Sequence, residues 1–273
     1  MAPRLQRLDA ELVRRGMARS REHASTLIAD GRVLVQGVRA SKPATSVGTD
    51  TPVRVLEDNS DPGYASRGGH KLAGALAAFP QIVVAGRRCL DAGASTGGFT
   101  DVLLRAGASE VVAVDVGYGQ LAWSLRSDGR VTVHDRTNVR SLTPDAIGGS
   151  VGLTVADLSF ISLGVVLPAL TSCTSDVGDL LPMVKPQFEV GRERLGSGGV
   201  VRDPQLRADA VLGVAQAAFS LGWTTRGVVR SPLPGPSGNV EFFVWLRCDD
   251  QQSMNEDEIV AAVLAAHAEE DAS

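Results

Sequence analysis

The chain has 273 residues, 44% of them apolar and 4% aromatic, with a formal net charge of −4 and three cysteines. That is enough apolar material for one large domain and a small one, which excludes extended disorder away from the ends. Cys89, Cys173 and Cys248 stand too far apart for a paired zinc or disulfide framework. Eight acids and no Lys or Arg follow Cys248, so setting them aside turns a net −4 into +4 for the first 248 residues.

The first 21 residues hold Arg4, Arg7, Arg14, Arg15, Arg19 and Arg21 against Asp9 and Glu11, a local excess of four positive charges. Such an excess in a short element is a phosphate-binding signature. With residues 5–15 as a helix, Leu8 and Leu12 form the buried stripe, and Arg7, Arg14 and Arg15 share a face that Arg4 extends by one turn. Ser20 reads as the N-cap of a second helix that buries Ala24, Leu27 and Ile28 and stops at Gly31; Val33 and Val35 then alternate in a strand ending at Gly37. A start this charged has no apolar secretory core, which predicts a reducing, cytoplasmic setting.

Asp58 to Ala65 is too polar and too rich in Pro and Gly for helix or strand, and marks a boundary. Ser66 to Phe79 then predicts a helix with Leu72, Leu76 and Phe79 buried and Lys71 near its N-terminal end, a placement unfavourable to the helix dipole. The apolar run Ile82 to Val84, continued by Cys89 and Leu90, predicts a buried strand. It leads into DAGASTGGF, Asp91 to Phe99, and a helix from Phe99 to Arg105. Glycines in such a loop let backbone approach a ligand, and the helix start offers unpaired amides. A second strand, Glu110 to Val114, ends at Asp115, where an acid can accept from ribose hydroxyls. The spacing Gly-x-x-x-Gly-Gly, with no basic residue to meet a pyrophosphate, favours S-adenosylmethionine over a dinucleotide.

Further on, Val131 to Val133 reads as a strand, and TVADLSF places Asp157 at a strand end. Leu158 to Ser175 has membrane-like length, but Pro168, four serines and two threonines make it strand-to-helix structure. LLPMVKPQF repeats the strand-end placement with Lys185, and GNVEFFVWL puts Glu241 at the start of a late strand. Three strand ends therefore direct polar groups at one crevice. Ile259, Val263 and Leu264 suggest a short amphipathic helix in the acidic tail. His23, His70, His134 and His267 do not cluster, so no metal is expected.

The run Arg7 to Gly37, with its leucines, Gly16, Ser20, Arg21, Ala24, Gly31 and both valines, resembles the S-four-type RNA-binding domain. The resemblance gives an RNA-contacting role to Arg4, Arg7, Arg14 and Arg21, with Arg15 and Arg19 beside them. No aromatic residue occurs in this stretch, so shape and phosphate contacts are its expected mode. Pseudouridine synthases share the module but need no methyl donor, and the glycine loop argues against them. Ser66 to Leu246 resembles the FtsJ-like ribose 2′-O-methyltransferases, and the whole chain resembles the TlyA family, often labelled haemolysin A. A pore-forming haemolysin is the remaining alternative, suggested by that label alone.

These resemblances imply an S-four-like α+β RNA-binding domain at residues 1–59, a linker at 60–65, a Rossmann-like S-adenosylmethionine-dependent methyltransferase sheet at 66–248 and an acidic tail at 249–273. The Lys-Asp-Lys-Glu catalytic set of the FtsJ-like group falls on Lys71, Asp157, Lys185 and Glu241. The implied activity is cytidine 2′-O-methylation of ribosomal RNA. Family members are expected to act on both subunits or on the small one alone, and the long form with a basic first helix is expected to act on both. Cofactor contacts are expected from Asp91, Gly93, Ser95, Thr96, Gly97, Asp115, Asp157 and Phe160, with Asp135, Arg136 and Thr137 flanking the adenine. Arg67, Arg136 and Arg192 are candidates for guiding RNA. The stretch PGYA in the linker and the loop GRERLGSGG, Gly191 to Gly199, depart from relatives.

A ribose hydroxyl is a poor nucleophile near neutral pH and needs a base. Lys185 serves as that base only as the free amine, a form that Lys71 and burial favour and that the charges of Asp157 and Glu241 oppose. Lys71 and Asp157 are expected to orient it, and Glu241 to anchor a lysine or the target ribose.

Overall fold

The computed structural model describes residues 5–18, 20–56, 62–235, 237–249 and 253–271. It divides into two compact units, Met1–Gly63 and Tyr64–Ser273. The first contains β1 (Gln6–Arg7), α1 (Leu8–Arg14), α2 (Arg21–Ala29), β2 (Val33–Val35), β3 (Val38–Arg39), β4 (Ser46–Val47) and β5 (Val53–Val55). β2 lies between β3 and β5, and β1 pairs with β4, all antiparallel. Leu8, Leu12, Ala24, Leu27, Ile28, Val33 and Val47 enclose the core, as the helical period predicts. Ser20 caps α2 by accepting from His23 N at 3.1 Å.

The first helix begins later than expected. Gln6 and Arg7 pair with Val47 and Ser46, a non-local contact that periodicity cannot reveal. Arg7 therefore precedes the helix. Arg15 turns onto the carbonyls of Gly48, Thr49 and Thr51, so the expected common face of Arg7, Arg14 and Arg15 does not form. Arg4 and Arg19 lie outside the described residues.

The second unit contains α3 (Arg67–Ala78), β6 (Arg88–Ala92), α4 (Gly98–Arg105), β7 (Glu110–Val114), α5 (Trp123–Arg126), β8 (Val131–His134), β9 (Val151–Ala156) and α6 (Leu163–Cys173), followed by β10 (Thr174–Val184), α7 (Pro186–Glu189), α8 (Pro204–Phe219), β11 (Thr224–Arg230), β12 (Phe242–Arg247) and α9 (Glu256–Asp271). Its sheet has the order β11-β12-β10-β9-β6-β7-β8. The five strands from β10 to β8 run parallel, and β12 runs antiparallel to both β10 and β11. Alternate residues feed two opposite layers: Leu90, Phe242 and Val244 pack on α6 and α8, while Cys89 and Phe243 pack with Leu72, Phe99 and Leu103 of α3 and α4. The chain reverses its direction of travel across the sheet between β6 and β9, so the crevice at their carboxyl ends is where a ligand fits.

Ile82 and Val84 are buried but belong to no strand, a correction to the expected run. They sit in turns closed by Ile82 N to Phe79 O and Arg87 N to Val84 O, and the strand starts only at Arg88. Residues 163–173 form α6 between two strands, and no helix among the described residues is long and apolar enough to cross a membrane. In α9, Ile259 and Val263 are buried and Leu264 is exposed.

Candidate active site

The carboxyl edge of the sheet gathers the four charged residues expected there. Asp157 follows β9 and Lys185 follows β10. Because β12 runs the other way, Glu241 enters it at that same edge, with Phe242 in register with Val184. Lys71 arrives from the first turns of α3. Its Nζ donates to Glu241 Oε2 at 2.5 Å, a pair whose side chains are 9% and 0% exposed. Lys185 Nζ lies 2.6 Å from Asp157 Oδ1 and donates to Ser159 Oγ at 3.0 Å. Each lysine thus has its own carboxylate, and the Asp157 side chain, 25% exposed, is the most open of the four. Glu241 Oε1 is buried without a hydrogen-bond partner among the described residues. A Cβ at Gly235 would come within 2.6 Å of it, so bare backbone there leaves that oxygen its space.

The glycine loop borders this set, and its glycines are packed closely by the chain around them. A Cβ on Gly93 would stand 2.4 Å from the Asp157 carbonyl, one on Gly97 would strike Leu121 and Leu125, and one on Gly98 would meet Ser66 and Gly69. The missing side chains make room for neighbouring protein. Two acids flank the loop. Asp115 accepts from Ser95 N at 2.8 Å and from Gly117 N at 2.7 Å, which fixes its carboxylate while each oxygen keeps capacity for a ribose hydroxyl. Asp91 has no exposed surface; its Oδ2 accepts from Thr100 Oγ1 at 2.6 Å and its Oδ1 has no partner. Burial, with the charges of Asp157 and Asp115 adding to it, raises its pKa to about 7. Two acids, one held in place and one with an orphan acceptor, beside a loop without a basic residue, fit S-adenosylmethionine and not a pyrophosphate.

Backbone strain marks the same edge. Four described non-glycine residues have positive φ, and three of them, Ser95, Arg136 and Phe160, follow β6, β8 and β9. Phe160 is 91% exposed rather than core, with its ring 5.2 Å from that of Phe188. Arg136 lies over the Tyr118 ring at 4.3 Å, Asp135 accepts from Arg126 at 2.9 Å, and Thr137 N donates to Asp115 O at 2.9 Å. Thr96 is exposed and accepts from Ala122 N through its carbonyl. Arg67 is exposed at the start of α3.

Sequence reasoning missed the residues that hold the site together. Glu189 accepts from Ser162 Oγ at 2.6 Å and from Leu163 N at 2.8 Å. With the contacts of Lys185 to Asp157 and Ser159 and of Phe188 to Phe160, residues 157–163 and 185–189 are fastened along their whole length. Asn239 accepts from Val201 N at 2.9 Å and donates to Gly199 O at 3.0 Å, tying the end of the 191–199 loop to the chain just before Glu241. A polar residue in an apolar context was the only available signal for either. In the expected linker, Tyr64 stacks on Arg105 at 5.0 Å and Ala65 N donates to Asp101 Oδ2 at 2.8 Å.

In the first unit the expected RNA-contacting arginines rest on two buried acids. Arg7 and Arg21 bond Asp9, and Arg14 and Arg15 bond Glu11. The arginine hydrogen bonds hold both carboxyls down, each to about 2.

Residues 64–248 match the FtsJ-like methyltransferase family, and residues 6–53 match the S4 domain. The chain is 63% identical over 249 residues, 91% of its own length and 92% of the relative's, to the 16S/23S rRNA (cytidine-2′-O)-methyltransferase TlyA of Mycobacterium tuberculosis. It is 33% identical, over 67% of its length and 70% of the relative's, to a TlyA of Campylobacter jejuni. That relative is named for 23S rRNA alone, which corrects the expectation that single-subunit members act on the small subunit. A solved Streptococcus thermophilus structure labelled as a hemolysin is 37% identical, with a TM-score of 0.78 covering 100% of this chain and 98% of that one. With the parallel sheet and its charged carboxyl edge, these matches show that the chain belongs to the FtsJ-like methyltransferase family and, within it, stands with the TlyA proteins.

Proposed function

We propose that the protein methylates the ribose 2′-oxygen of cytidine in ribosomal RNA, in the small subunit and in the large one. The observation that carries the reading is the pair of ion pairs, Lys71 with Glu241 and Lys185 with Asp157, at the sheet edge beside the glycine loop. The M. tuberculosis relative, named for both 16S and 23S rRNA, supports the choice of substrate. The methyl donor is S-adenosylmethionine, which when bound supplies a methyl group already activated by its sulfonium. Asp115, Ser95 and Asp91 would hold it, with Thr96, Asp135, Arg136 and Thr137 bordering its base and Phe160 its other end.

The chain's own residues then have two tasks, in-line placement and removal of one proton. Lys185 Nζ gives up its proton to solvent and then takes the proton of the 2′-hydroxyl as that oxygen accepts the methyl group; Asp157 and Ser159 aim the nitrogen, and Asp157 pairs with the ammonium that the transfer restores. Lys71 fixes Glu241 through Oε2, leaving Oε1 to accept a hydrogen bond from the target ribose. Arg7, Arg14 and Arg21 of the S4 unit, with Arg4 ahead of them, contact phosphates of the folded RNA, and Arg67 guides it at the methyltransferase unit. This reading places the protein in the cytoplasm with its ribosomal substrate.

The test is transfer of labelled methyl from S-adenosylmethionine to purified small and large ribosomal subunits lacking the modification. Lys185→Ala is expected to lower turnover by about 10²–10⁴-fold while cofactor and RNA affinities stay at the parent's values. Full turnover in that variant removes Lys185 as base. Failure of the parent chain to bind S-adenosylmethionine overturns the whole reading.

A further inference from the structure

We propose that Asp9 is a positioning residue for RNA: its buried carboxylate gathers Arg7 and Arg21 into a two-armed clamp for one phosphate of folded RNA, so that removing its negative charge weakens binding. The inference rests on the RNA-binding reading of the first unit.

Asp9 is only 3% exposed. Arg7 meets it with two parallel bonds, Nε to Oδ1 at 3.1 Å and Nη2 to Oδ2 at 2.9 Å. Arg21, from the first turn of α2, donates Nη2 to that same Oδ2 at 2.9 Å. Two guanidiniums from separate elements are therefore drawn to a single oxygen, although like charges repel. Their side chains remain 52% and 59% exposed, so the pinned edge is inside and the rest of each fork is accessible. A guanidinium carries five N–H donors, of which Asp9 takes two from Arg7 and one from Arg21. Such forks match phosphate oxygens in pairs, and arms already fixed lose less rotamer freedom on binding.

The neighbouring acid shows that this arrangement is not simply how the unit satisfies its arginines. Glu11 also holds two, but one of them, Arg15, is 17% exposed and spends its fork on the carbonyls of Gly48, Thr49 and Thr51. That pair is framework, with Arg14 as its one half-exposed arm. Asp9 alone presents two accessible guanidiniums among the described residues.

Electrostatics gives the competing expectation a definite sign. RNA affinity rises with each cation set against phosphate, so a carboxylate that merely offsets two arginines costs affinity, and Asp9→Asn would bind more tightly. A clamp organiser gives the reverse.

The experiment uses the full chain and unmodified small ribosomal subunits, with Kd measured across salt concentrations and the RNA KM and kcat of methyl transfer measured alongside. Asp9→Asn is expected to raise Kd and KM about tenfold, roughly one charge-assisted hydrogen bond, with kcat unchanged. Arg7→Lys and Arg21→Lys keep both the charge and Asp9, and are expected to lose about as much. Equal or tighter binding by Asp9→Asn overturns the proposal, as do parent-like lysine variants. Where Asp9→Asn fails to fold, the lysine variants decide. A double Arg7→Gln, Arg21→Gln variant that binds like the parent would instead remove the RNA-binding reading of these arginines.

Discussion

Asp91, the penultimate residue of β6, is wholly buried and has one oxygen without a partner. Burial lifts its pKa from near 3.8 to about 7. Between those values the folded chain holds one proton more than the unfolded chain, so this group's contribution to stability falls as pH rises through the window and levels off above pH 7. The penalty at pH 8 is on the order of a few kcal/mol. Asp91→Asn is therefore expected to raise the Tm of the ligand-free protein at pH 8 and leave it nearly unchanged at pH 4, while weakening S-adenosylmethionine binding. Thermal melts at the two pH values with a binding isotherm check this, and a variant that gains nothing at pH 8 contradicts it. The acid's place between an apolar run and a set of glycines was legible in the sequence, although the strand runs on through it to Ala92. Its orphan oxygen was not, because burial is a property of the assembled sheet. The same holds for Asp9 and Glu11, which in sequence are two acids among arginines and in the fold are buried anchors.

At the scale of elements, the loop after β9 and helix α7 after β10 form one unit through Glu189, which receives Ser162 Oγ and caps α6 at Leu163 N. Burial raises the pKa of this carboxyl, and its two hydrogen bonds oppose the shift. Glu189→Ala removes a cap and two bonds, which costs about 1–2 kcal/mol and a few degrees of Tm. It also frees the segment that carries Asp157 and Ser159 against Lys185, so turnover is expected to fall about 10–100-fold with cofactor affinity preserved. Turnover equal to the parent's would show that β9 and β10 alone hold the pair. Elements whose signal is local were read well, among them α2 with its Ser20 cap and strand β7. Ile82 to Val84 misled because an apolar run records burial, and a buried turn produces it as readily as a strand. The start of α1 misled because Gln6 and Arg7 answer to residues 46 and 47.

At the scale of the whole molecule, each of the two units carries its own core, and the first is small enough that a few polar anchors matter. Asp9 and Glu11 have folded pKa values near 2, below their ordinary 3.8 and 4.5. The stability they contribute is present above those ordinary values and is lost as pH falls from about 4.5 towards 2. Segment-resolved amide exchange is expected to show α1 losing protection through that range; protection that stays flat down to pH 2 would rule the anchors out. The grouping of four charges was legible because three stand at strand ends, yet their pairing into Lys71 with Glu241 and Lys185 with Asp157 needed the strand order. That order also sets a schedule. Glu241 enters β12, which comes after β10 and β11 in the chain but lies between them in the sheet. During synthesis Lys71 waits 170 residues for its partner, and the last strand must insert between two others before the site exists. A growing chain is thus inert until β12 has been made and inserted, so no product that stops short of that strand can modify RNA.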